Sequence, residues 1–525
     1  MKKLILKSCA VIGLAVCVSI TNATNYYVSN SGSDSNNGLT LGNAFLTIQH
    51  ATDLVVAGDS ILIADGNYAG FNHQSLNSGT PGNPIVYKAI GNNAKINTKG
   101  PHAKNAINVE NNDYIHIIGI KCKNMIQYGI VWNTFGVRMV ASDHSEIRNM
   151  ECDSNGIGIF TGYCEYLTIE NNKCRYNKLQ HGIYHSNNGD YAIVRYNYCA
   201  FNAASGIQFN PDKSEQQELN DGAASNCVVS YNICHDNNVG INTQGMYNSI
   251  ISNNLIYNNN NHGISFYQDD HGAPYGWTRG VKNTKLFNNT IIADTKGRNT
   301  VYMRDSLEDF YIYNNILINT GTKAGGSFAY DQSINGWKYI SNMISNYNIL
   351  CDKFCDNSDN CFGSQDFTYW KSLGYDANSI SVGNTISGLF VDAANNDYHL
   401  VITSAAVDNG TNLVSGSVTK DLDGMIRPAG GTFDAGCYEY GSTPAGFIEN
   451  MYNSKITIVR VADNIVFMNI EPTDVVEVYN LRGQKVNQND GILNTSNFSD
   501  GVYLYVVRSL NNYNKIQSGK LLIQK

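Results

Sequence analysis

A short motif that ends in asparagine recurs through the middle of the chain and constrains the fold more than any other feature. Successive copies are separated by 25, 35, 22, 35, 26 and 33 residues, and they end at Asn172, Asn197, Asn232, Asn254, Asn289, Asn315 and Asn348. A basic unit of 22 to 26 residues, lengthened in some copies by about ten, is typical of a solenoid whose coils stack on their neighbours.

The residues inside each unit indicate which solenoid this is. Every unit holds two or three short alternating runs of β-formers, divided by Asn or Gly, and no run shows the apolar spacing of an amphipathic helix. The 34 tyrosines and 48 glycines fit strands joined by tight turns. The sequence therefore predicts an all-β protein, a right-handed parallel β-helix followed by a small C-terminal β-sandwich.

Cysteine and aliphatic residues share one column of the repeat, two positions after the asparagine: Cys174, Cys199, Cys234, Ile256, Ile291, Leu317 and Leu350, with Cys152 and Cys122 upstream. Because free Cys behaves as a small hydrophobe, we interpret this column as a buried ladder and not as a metal site. A disulfide between neighbouring coils is the alternative, since a spacing of about 4.8 Å permits it. We expect the asparagines to form amide ladders and to supply left-handed corners.

A Gly-Ile pair marks another strand of each coil, at Gly129-Ile130, Gly158-Ile159, Gly182-Ile183, Gly206-Ile207, Gly240-Ile241 and Gly263-Ile264, with Thr300-Val301 in the same place. His181 and His262 precede two of these glycines and are interpreted as matching corner residues. If the Ile side chains point inward, the first and third residues after them point outward.

Tyrosine and amide side chains concentrate at these outward positions, and they suit sugar rings because they combine flat apolar faces with hydrogen-bonding edges. We call the outward residues the polar strip: Tyr184, Gln208, Asn242, Ser265, Tyr302, Ser186, Asn210, Gln244, Tyr267 and Arg304. Within it, Tyr184, Gln208, Asn210, Asn242, Gln244 and Tyr302 are predicted to bind substrate, together with Tyr267 and with Trp277 from a nearby loop.

Charged loops follow the strip. Asp212, Asp269 and Asp270 are candidate ligands for a calcium ion, the one cofactor that the sequence suggests. Asp269 or Asp270 and Asp305 should lie on consecutive coils, about 5 Å apart, whereas Asp212 and Asp269 should lie about 10 Å apart. The first distance suits a shared calcium ion or a retaining carboxylate pair, and the second approaches that of an inverting hydrolase.

A lyase needs a base and a group that neutralises the substrate carboxylate. The candidate bases are Lys213, Tyr267, Tyr184 and His185, although His185 falls on the inward parity of its strand; Arg304 or Arg279 would hold the carboxylate. The predicted catalytic residues are Lys213, Arg304, Tyr267, Asp269, Asp270 and Asp305.

The N-terminus predicts export. Residues 1–23 combine Lys2, Lys3 and Lys7 with an apolar run and a small-residue cleavage site, as a secretory signal peptide does, and no other apolar run is long enough to span a bilayer. A net charge of −8 without a basic cluster argues against nucleic acid as a partner.

The cysteine count carries a further expectation for an exported chain. Removing Cys9 and Cys17 with the signal peptide leaves an odd number of cysteines, so at least one should lack an intramolecular partner. Cys351, Cys355 and Cys361 lie close together in the sequence, and a local disulfide among them is expected to hold a surface loop.

Two stretches carry a family resemblance. From Tyr26, YYVSNSGSDSNNGLTLGNAFLTIQHATDLVVAGDSILIADGNY resembles the opening of secreted pectate-lyase-like β-helix proteins, which implies a short capping helix near Thr47 to Val55 and a polysaccharide substrate. Residues 389–440 are similar to the segment that closes such helices, and the β-helix is assigned to residues 24–440. The chain lacks the Asp-Asp-Gly-Ile-Asp, Gly-His-Gly and Lys-Ser patterns of the better-defined enzyme groups.

The C-terminus has its own resemblance. VVEVYNLRGQKV and DGVYLYVVRSLNNYNKIQSGKLLIQK are similar to the sorting domain of type IX secretion substrates. That similarity implies a 441–452 linker, a sorting domain at 453–525, recognition by the type IX secretion machinery, and a protein secreted or attached to the cell surface. We expect the protein to be a monomer.

Three functions stay open on the sequence. The first is a polysaccharide lyase that cleaves an anionic, uronate-containing glycan by β-elimination. The second is a glycoside hydrolase that uses paired Asp residues in the same groove, and the third is a non-catalytic glycan-binding surface protein or adhesin.

Overall fold

The structure is a computed structural model. It describes residues 23–100, 105–128, 134–212, 221–267, 280–304, 307–321, 326–331, 340–355 and 365–442, and in the C-terminal region 457–461, 464–468, 474–480, 485–489, 492–494, 498–499, 501–509 and 515–523. These residues fall into two compact units. One comprises the chain up to Thr419 together with Arg427–Tyr440, and the other comprises Lys420–Ile426 together with Gly441–Lys525.

Three long parallel sheets, A, B and C, build the first unit over the described residues, and each coil of chain adds one strand to each. Sheet A contains Asn25–Val28, Ser60–Ile63, Ile85–Ala89, Ile115–Ile118, Glu146–Arg148, Thr168–Glu170, Ile193–Arg195, Val228–Ser230, Ile250–Ser252, Lys285–Phe287, Tyr311–Tyr313 and Ile344–Asn346. Sheet B contains Gly66–Ala69, Ala94–Thr98, Lys121–Lys123, Glu151–Asp153, Lys173–Arg175, Tyr198–Ala200, Ile233–His235, Leu255–Tyr257, Thr290–Ala293, Ile316–Asn319, Ile349–Leu350 and Ile380–Ser381. Sheet C contains Phe71–Gln74, Ile107–Glu110, Phe135–Val140, Ile157–Gly162, Ile183–Ser186, Ser205–Asn210, Val239–Gln244, His262–Tyr267, Asn299–Arg304, Phe328–Asp331 and Phe354–Cys355. This is the predicted parallel β-helix.

A short fourth sheet, D, follows sheet C in five of the described coils. Its strands are Ala224–Ser225, Met246–Tyr247, Val281–Lys282, Leu307–Glu308 and Ile340–Ser341. The insertions that lengthen the 35-residue coils lie between sheets C and D, after Asn210 and after Tyr267. Both insertions therefore begin in the sequence where a strand of sheet C ends.

The cysteine column faces the interior, as predicted. Cys122, Cys152, Cys174, Cys199 and Cys234 stand in register on consecutive coils, and Ile256 continues the column. All five thiols are free and fully buried. Burial raises the pKa of the Cys122, Cys174 and Cys234 thiols, which keeps them protonated and inert. The interpretation as a buried ladder is confirmed, and the disulfide alternative is wrong.

The asparagine column has a structural role, but the expectation that it supplies the left-handed corners is wrong. Asn197 donates from Nδ2 to the Ile169 carbonyl of the preceding coil (2.9 Å) and to Asn232 Oδ1 of the next coil (3.0 Å), and its backbone N–H donates to the same Asn232 oxygen. The left-handed corner falls on the residue before, such as Asn171 (φ 59°) or Tyr196 (φ 56°). The aligned asparagine therefore forms the amide ladder, and the residue before it turns the chain.

The glycines of the Gly-Ile pairs are required by close packing between coils. A Cβ on Gly182 would lie 2.7 Å from the carbonyl oxygen of Gly206, and one on Gly206 would lie 2.8 Å from that of Gly240. In the coil upstream of Ile157–Gly162 this place belongs to Gly136 and Val137, because Val137 pairs with Ile159. The assignment of Gly129-Ile130 to the column is therefore wrong, and that pair lies outside the described residues.

Both ends of the β-helix are covered. Helix α1 (Ile48–Thr52) begins after Thr47, whose hydroxyl accepts from the His50 N–H, and it lies within the predicted capping segment. At the other end, Trp370 of helix α2 (Phe367–Ser372) stacks on Phe354 with ring centroids 4.8 Å apart. Short 3-10 turns occur at Leu41–Asn43, Met125–Tyr128, Ala393–Asn395 and Asn412–Val414.

The closing segment, residues 389–419 and 427–440 of the first unit, packs along the side of the helix. It contains the antiparallel strands Phe390–Asp392 and Asp397–Leu400, and it is held by a fully buried ion pair between Arg427 and Glu439 (2.6 Å). The Asp434 carbonyl accepts from Asn288 Nδ2, and the Cys437 N–H donates to Thr290.

The expectation of a local disulfide is supported at Cys355. Cys355 is disulfide-bonded, as expected, whereas Cys351 is free and buried. Cys361 lies outside the described residues.

The second unit is antiparallel. One sheet pairs Thr457–Val461, Asn464–Met468 and Ile492–Asn494, and the other pairs Lys485–Asn489, Asp474–Tyr479, Gly501–Ser509 and Lys515–Ile523. Its core contains Val476, Val478, Leu493, Phe498, Tyr505, Val507, Leu521 and Ile523. Among the described helices of the chain, none has the length and apolarity to cross a bilayer.

Candidate functional site

The outer face of sheet C carries the polar strip in the predicted alignment. Tyr184 pairs with Gln208, Gln208 with Asn242, Asn242 with Ser265, and Ser265 with Tyr302 on consecutive coils. The second column follows the same register, with Ser186 beside Asn210 and Gln244 beside Tyr267. Four coil steps separate Tyr184 from Tyr302, which makes this row about 19 Å long.

Amide groups of the strip donate to phenol oxygens. Asn242 Nδ2 donates to Tyr267 Oη (2.9 Å) and to Gln208 Oε1 (2.7 Å), and Asn210 Nδ2 donates to Tyr184 Oη (3.1 Å). Gln208 is fixed further by the Ser205 hydroxyl and the Phe209 carbonyl. A donor aimed at a phenol oxygen stabilises negative charge that develops there.

Two histidines that were interpreted as corner residues support tyrosines of the strip. His262 stacks on Tyr302 with centroids 4.3 Å apart and planes 8° apart, and His181 meets the Tyr184 ring edge-on at 4.8 Å. Burial lowers the pKa of each imidazole to about 3, so both are neutral at physiological pH. Nδ1 of His181 accepts the Ser205 N–H and Nδ1 of His262 accepts the Asn299 amide, which leaves the proton on Nε2.

His185 lies inside the helix, as its parity predicts. It is 2 % exposed, and its two ring nitrogens are engaged by the Thr161 hydroxyl (2.8 Å) and the Gly189 carbonyl (2.9 Å). Burial lowers its pKa as well. A side chain so enclosed has a structural role and cannot reach a ligand on the outer face.

The outward face continues upstream of the predicted strip. Phe160 precedes Tyr184 in the first column and contacts it edge-on at 5.3 Å, and Arg138 precedes Phe160. Arg138 donates to Glu110 (2.7 Å) and to Asn108 (3.0 Å). Phe160 was predictable from the sequence, because it directly follows Gly158-Ile159 and so occupies an outward position. Arg138 was missed, because the sequence alignment placed Gly129-Ile130 where the structure has Gly136 and Val137.

Most of the predicted loop residues lie outside the described residues: Lys213, Asp269, Asp270, Asp305, Trp277 and Arg279. Asp212 is described and partly exposed, and its N–H donates to the Asn210 carbonyl (2.8 Å). Across the described ranges no group of three His, Cys, Asp or Glu side chains could hold a metal ion. The calcium site at Asp212, Asp269 and Asp270 stays a prediction.

Charge on the strip differs from that of the whole chain. Its ten residues include one cation, Arg304, and no carboxylate, whereas the chain carries a net charge of −8. Arg304 lies on the strand next to that of Tyr267, because His262–Tyr267 pairs with Asn299–Arg304. Asp331 of the following strand pairs with Arg304 in the sheet register, so an acidic residue lies directly beside the one cation of the strip.

Comparison with known proteins gives one family match. Residues 55–221 match the model of the family described as periplasmic copper-binding protein (NosD). The match covers about a third of the chain, from the N-terminal coils to the loop after Asn210. No curated protein matched the chain.

Solved structures with a similar fold include three of carbohydrate-related proteins. A mutant of a periplasmic alginate epimerase is 14% identical, with 60% of this chain and 81% of that chain covered and a TM-score of 0.38. A rhamnogalacturonan lyase is 14% identical, with 70% and 91% covered and a TM-score of 0.39. A complex of XylC with xylose is 11% identical, with 79% and 99% covered and a TM-score of 0.43. Similarity at this level says nothing about the substrate or reaction of this chain.

Proposed function

We propose that this protein acts on a polysaccharide along the outer face of sheet C, and that the reaction is β-elimination from a uronate-containing glycan. The observation that carries the proposal is the hydrogen bond from Asn242 to the Tyr267 phenol oxygen, one strand away from Arg304. Tyr267 provides a polarised phenol as the base, and Arg304 provides a nearby cation for the substrate carboxylate. These are the two groups that such an elimination needs.

Each residue has a defined task in the proposed reaction. Arg304 pairs with the uronate carboxylate and withdraws charge from the adjacent carbon. Tyr267, ionised with the help of the Asn242 amide, takes the proton from that carbon; the electron pair forms the new double bond, and the glycosidic C–O bond breaks. The leaving oxygen then receives that proton from the Tyr267 hydroxyl, which returns the phenol to its ionised form. Lys213 is the alternative base. Asp269, Asp270 and Asp305 follow strip residues in the sequence and are the candidate carboxylates of the hydrolase alternative.

The remaining strip would hold the polymer. Tyr184 and Tyr302 offer ring surface, and the amides offer hydrogen bonds, with Trp277 completing the contact from its loop. These amides belong to Asn210 and Asn242, which are partly exposed, whereas Gln208 and Gln244 are buried, at 4 % and 6 % exposure. A row of about 19 Å exceeds the length of one sugar ring, which favours a polymer over a monosaccharide.

Export completes the proposal. Residues 1–23 would direct the chain out of the cytoplasm, and residues 453–525, joined through the 441–452 linker, would present it to the type IX secretion machinery. The two antiparallel sheets of the C-terminal unit support such a domain, because a separately folded sandwich can be recognised without the β-helix.

The test is a screen of the purified protein, with and without calcium, against pectate, alginate, glycosaminoglycans and neutral glycans. Ultraviolet absorbance of the unsaturated uronate is recorded together with new reducing ends. A lyase raises both signals. Reducing ends without absorbance would replace the lyase by the hydrolase that uses Asp212, Asp269, Asp270 or Asp305, and binding without either signal would make the protein a glycan-binding one.

A further inference from the structure

A chain of hydrogen bonds joins three side chains on sheet B, away from the polar strip. Tyr198 begins the strand Tyr198–Ala200, His235 ends the next strand, Ile233–His235, and Asp236 follows at a left-handed corner with a φ of 52°. Asp236 Oδ2 lies 2.7 Å from His235 Nδ1, and His235 Nε2 lies 2.7 Å from Tyr198 Oη.

Chemistry fixes the direction of both hydrogen bonds. An ionised carboxylate can only accept, so His235 Nδ1 carries the proton that it donates to Asp236. Burial lowers the pKa of His235, so the imidazole is neutral and Nε2 keeps its lone pair. The Tyr198 hydroxyl must therefore donate to Nε2. A hydroxyl whose proton points at a base, with that base oriented by a carboxylate, is the arrangement of an activated nucleophile.

Surrounding rings hold the base still while the phenol reaches the surface. His235 is 5 % exposed and stacks on Tyr257 with centroids 4.7 Å apart and planes 8° apart. Phe201 meets its other side edge-on at 5.4 Å, and Tyr398 packs behind Tyr257. Tyr198 is partly exposed, and burial raises its pKa, so at rest it is a neutral phenol.

We infer that Tyr198, His235 and Asp236 form a second reactive site, which takes ligands that carry an ester carbonyl. Tyr198 Oη attacks the carbonyl carbon as its proton passes to His235 Nε2, and Asp236 stabilises the resulting imidazolium. The bond from the carbonyl carbon to the alcohol oxygen breaks, the alcohol leaves with the proton from His235, and the acyl group stays on Tyr198. The site lies on a different sheet from the polar strip and does not depend on the proposed function.

The chain contains its own control for this inference. Tyr166 and Tyr191 are 46 % and 43 % exposed, and they stack on each other at a corner of the helix. His144 also stacks flat on Tyr166, with planes 7° apart, so that it offers the phenol a ring face and not a nitrogen lone pair. If exposure alone set reactivity, these two phenols would react before Tyr198. If the base sets reactivity, Tyr198 reacts first.

The experiment treats the full chain with p-nitrophenyl acetate and follows acetylation of each tyrosine by peptide mass spectrometry. We expect Tyr198 to be acetylated at least about tenfold faster than Tyr166 and Tyr191, which is below what a positioned base usually provides. Acetylation of Tyr166 or Tyr191 at the rate of Tyr198 or above would overturn the inference.

Two variants separate the base from the fold. Asp236→Asn suits the left-handed corner, because Asn258 occupies the same kind of corner with a φ of 53°, and it should slow Tyr198 acetylation about tenfold or more. His235→Phe keeps a flat ring against Tyr257 and should reduce Tyr198 to the rate of Tyr166. Should His235→Phe fail to fold, Asp236→Asn decides alone; an unchanged Tyr198 rate in a folded Asp236→Asn variant would contradict the inference.

Discussion

Replacing His181 and His262 by Asn should make the β-helix less sensitive to acid. Both imidazoles are buried, at 9 % and 7 % exposure, and burial lowers the pKa of each from an ordinary value of 6.5 to about 3. Because the unfolded chain binds these protons more tightly than the folded chain, stability is full above the ordinary pKa and is lost as the pH falls toward 3.

The magnitude follows from the two pKa values. At about pH 5 the unfolded imidazole is almost fully protonated and the folded one is not, so each histidine lowers the free energy of unfolding by about 2 kcal/mol relative to about pH 8. The pair therefore accounts for about 4 kcal/mol, a large share of the roughly 5 to 15 kcal/mol that is usual for a folded domain.

Urea denaturation followed by far-ultraviolet circular dichroism, repeated between about pH 8 and about pH 5, measures this loss. Carboxylates act in the opposite sense, since burial raises the pKa of Asp143, Glu165 and Asp190 and their protonation favours the folded state. The carboxylates are the same in the parent and the double variant, so the difference between the two proteins cancels their contribution to the pH dependence. His144→Asn, at an exposed corner, serves as the control. A difference between parent and double variant that does not change with pH would refute the reasoning.

Three further predictions concern the stacking of the coils. Gly206→Ala should destabilise the protein by about 2 kcal/mol, since its Cβ would lie 2.8 Å from the Gly240 carbonyl oxygen, whereas Gly162→Ala, with its nearest contact at 3.5 Å, should have a smaller effect; urea denaturation compares the two. Asn232→Ala should lower the free energy of unfolding by about 3 kcal/mol, because it removes hydrogen bonds to Asn197, Val194 and Asn254 inside the β-helix. Asn238→Ala, at an exposed position, should change the free energy of unfolding little, and equal losses in the two variants would contradict the amide ladder. Iodoacetamide should leave the five thiols of the cysteine column unmodified in the native protein and label them in urea, as peptide mass spectrometry can show; native labelling would mean that the column is accessible.

Much of the fold was predictable because one repeat determines it. The Asn spacing predicted the coils, and Cys in place of Ile and Leu predicted which column faces inward. The left-handed corner was misassigned by one residue, because Asn, Tyr and Phe all occupy these corners and the repeat is aligned on the amide ladder instead. The predicted register was wrong at Gly129-Ile130, because a Gly-Ile pair by itself does not show which glycine packs against the next coil.

The candidate site was only partly predictable for a related reason. Strand parity identified Tyr184, Gln208, Asn242 and Tyr302 as one row, because parallel stacking turns a sequence period into a surface. It did not predict that the two histidines before the Gly-Ile pairs support that row, since their roles depend on side-chain direction. The Tyr198–His235 contact was missed because it joins residues 37 positions apart in sequence that meet across adjacent coils.

The most direct test of the proposed function is the rate of double-bond formation on a uronate polymer by the parent protein and by Tyr267→Phe. Tyr166→Phe, which changes an exposed tyrosine away from sheet C, is the matched control. Tyr267→Phe should lose about a hundredfold or more in rate while it still binds the polymer, and Tyr166→Phe should keep the parent rate. Unchanged turnover in Tyr267→Phe would show that the chemistry does not depend on the phenol that Asn242 holds.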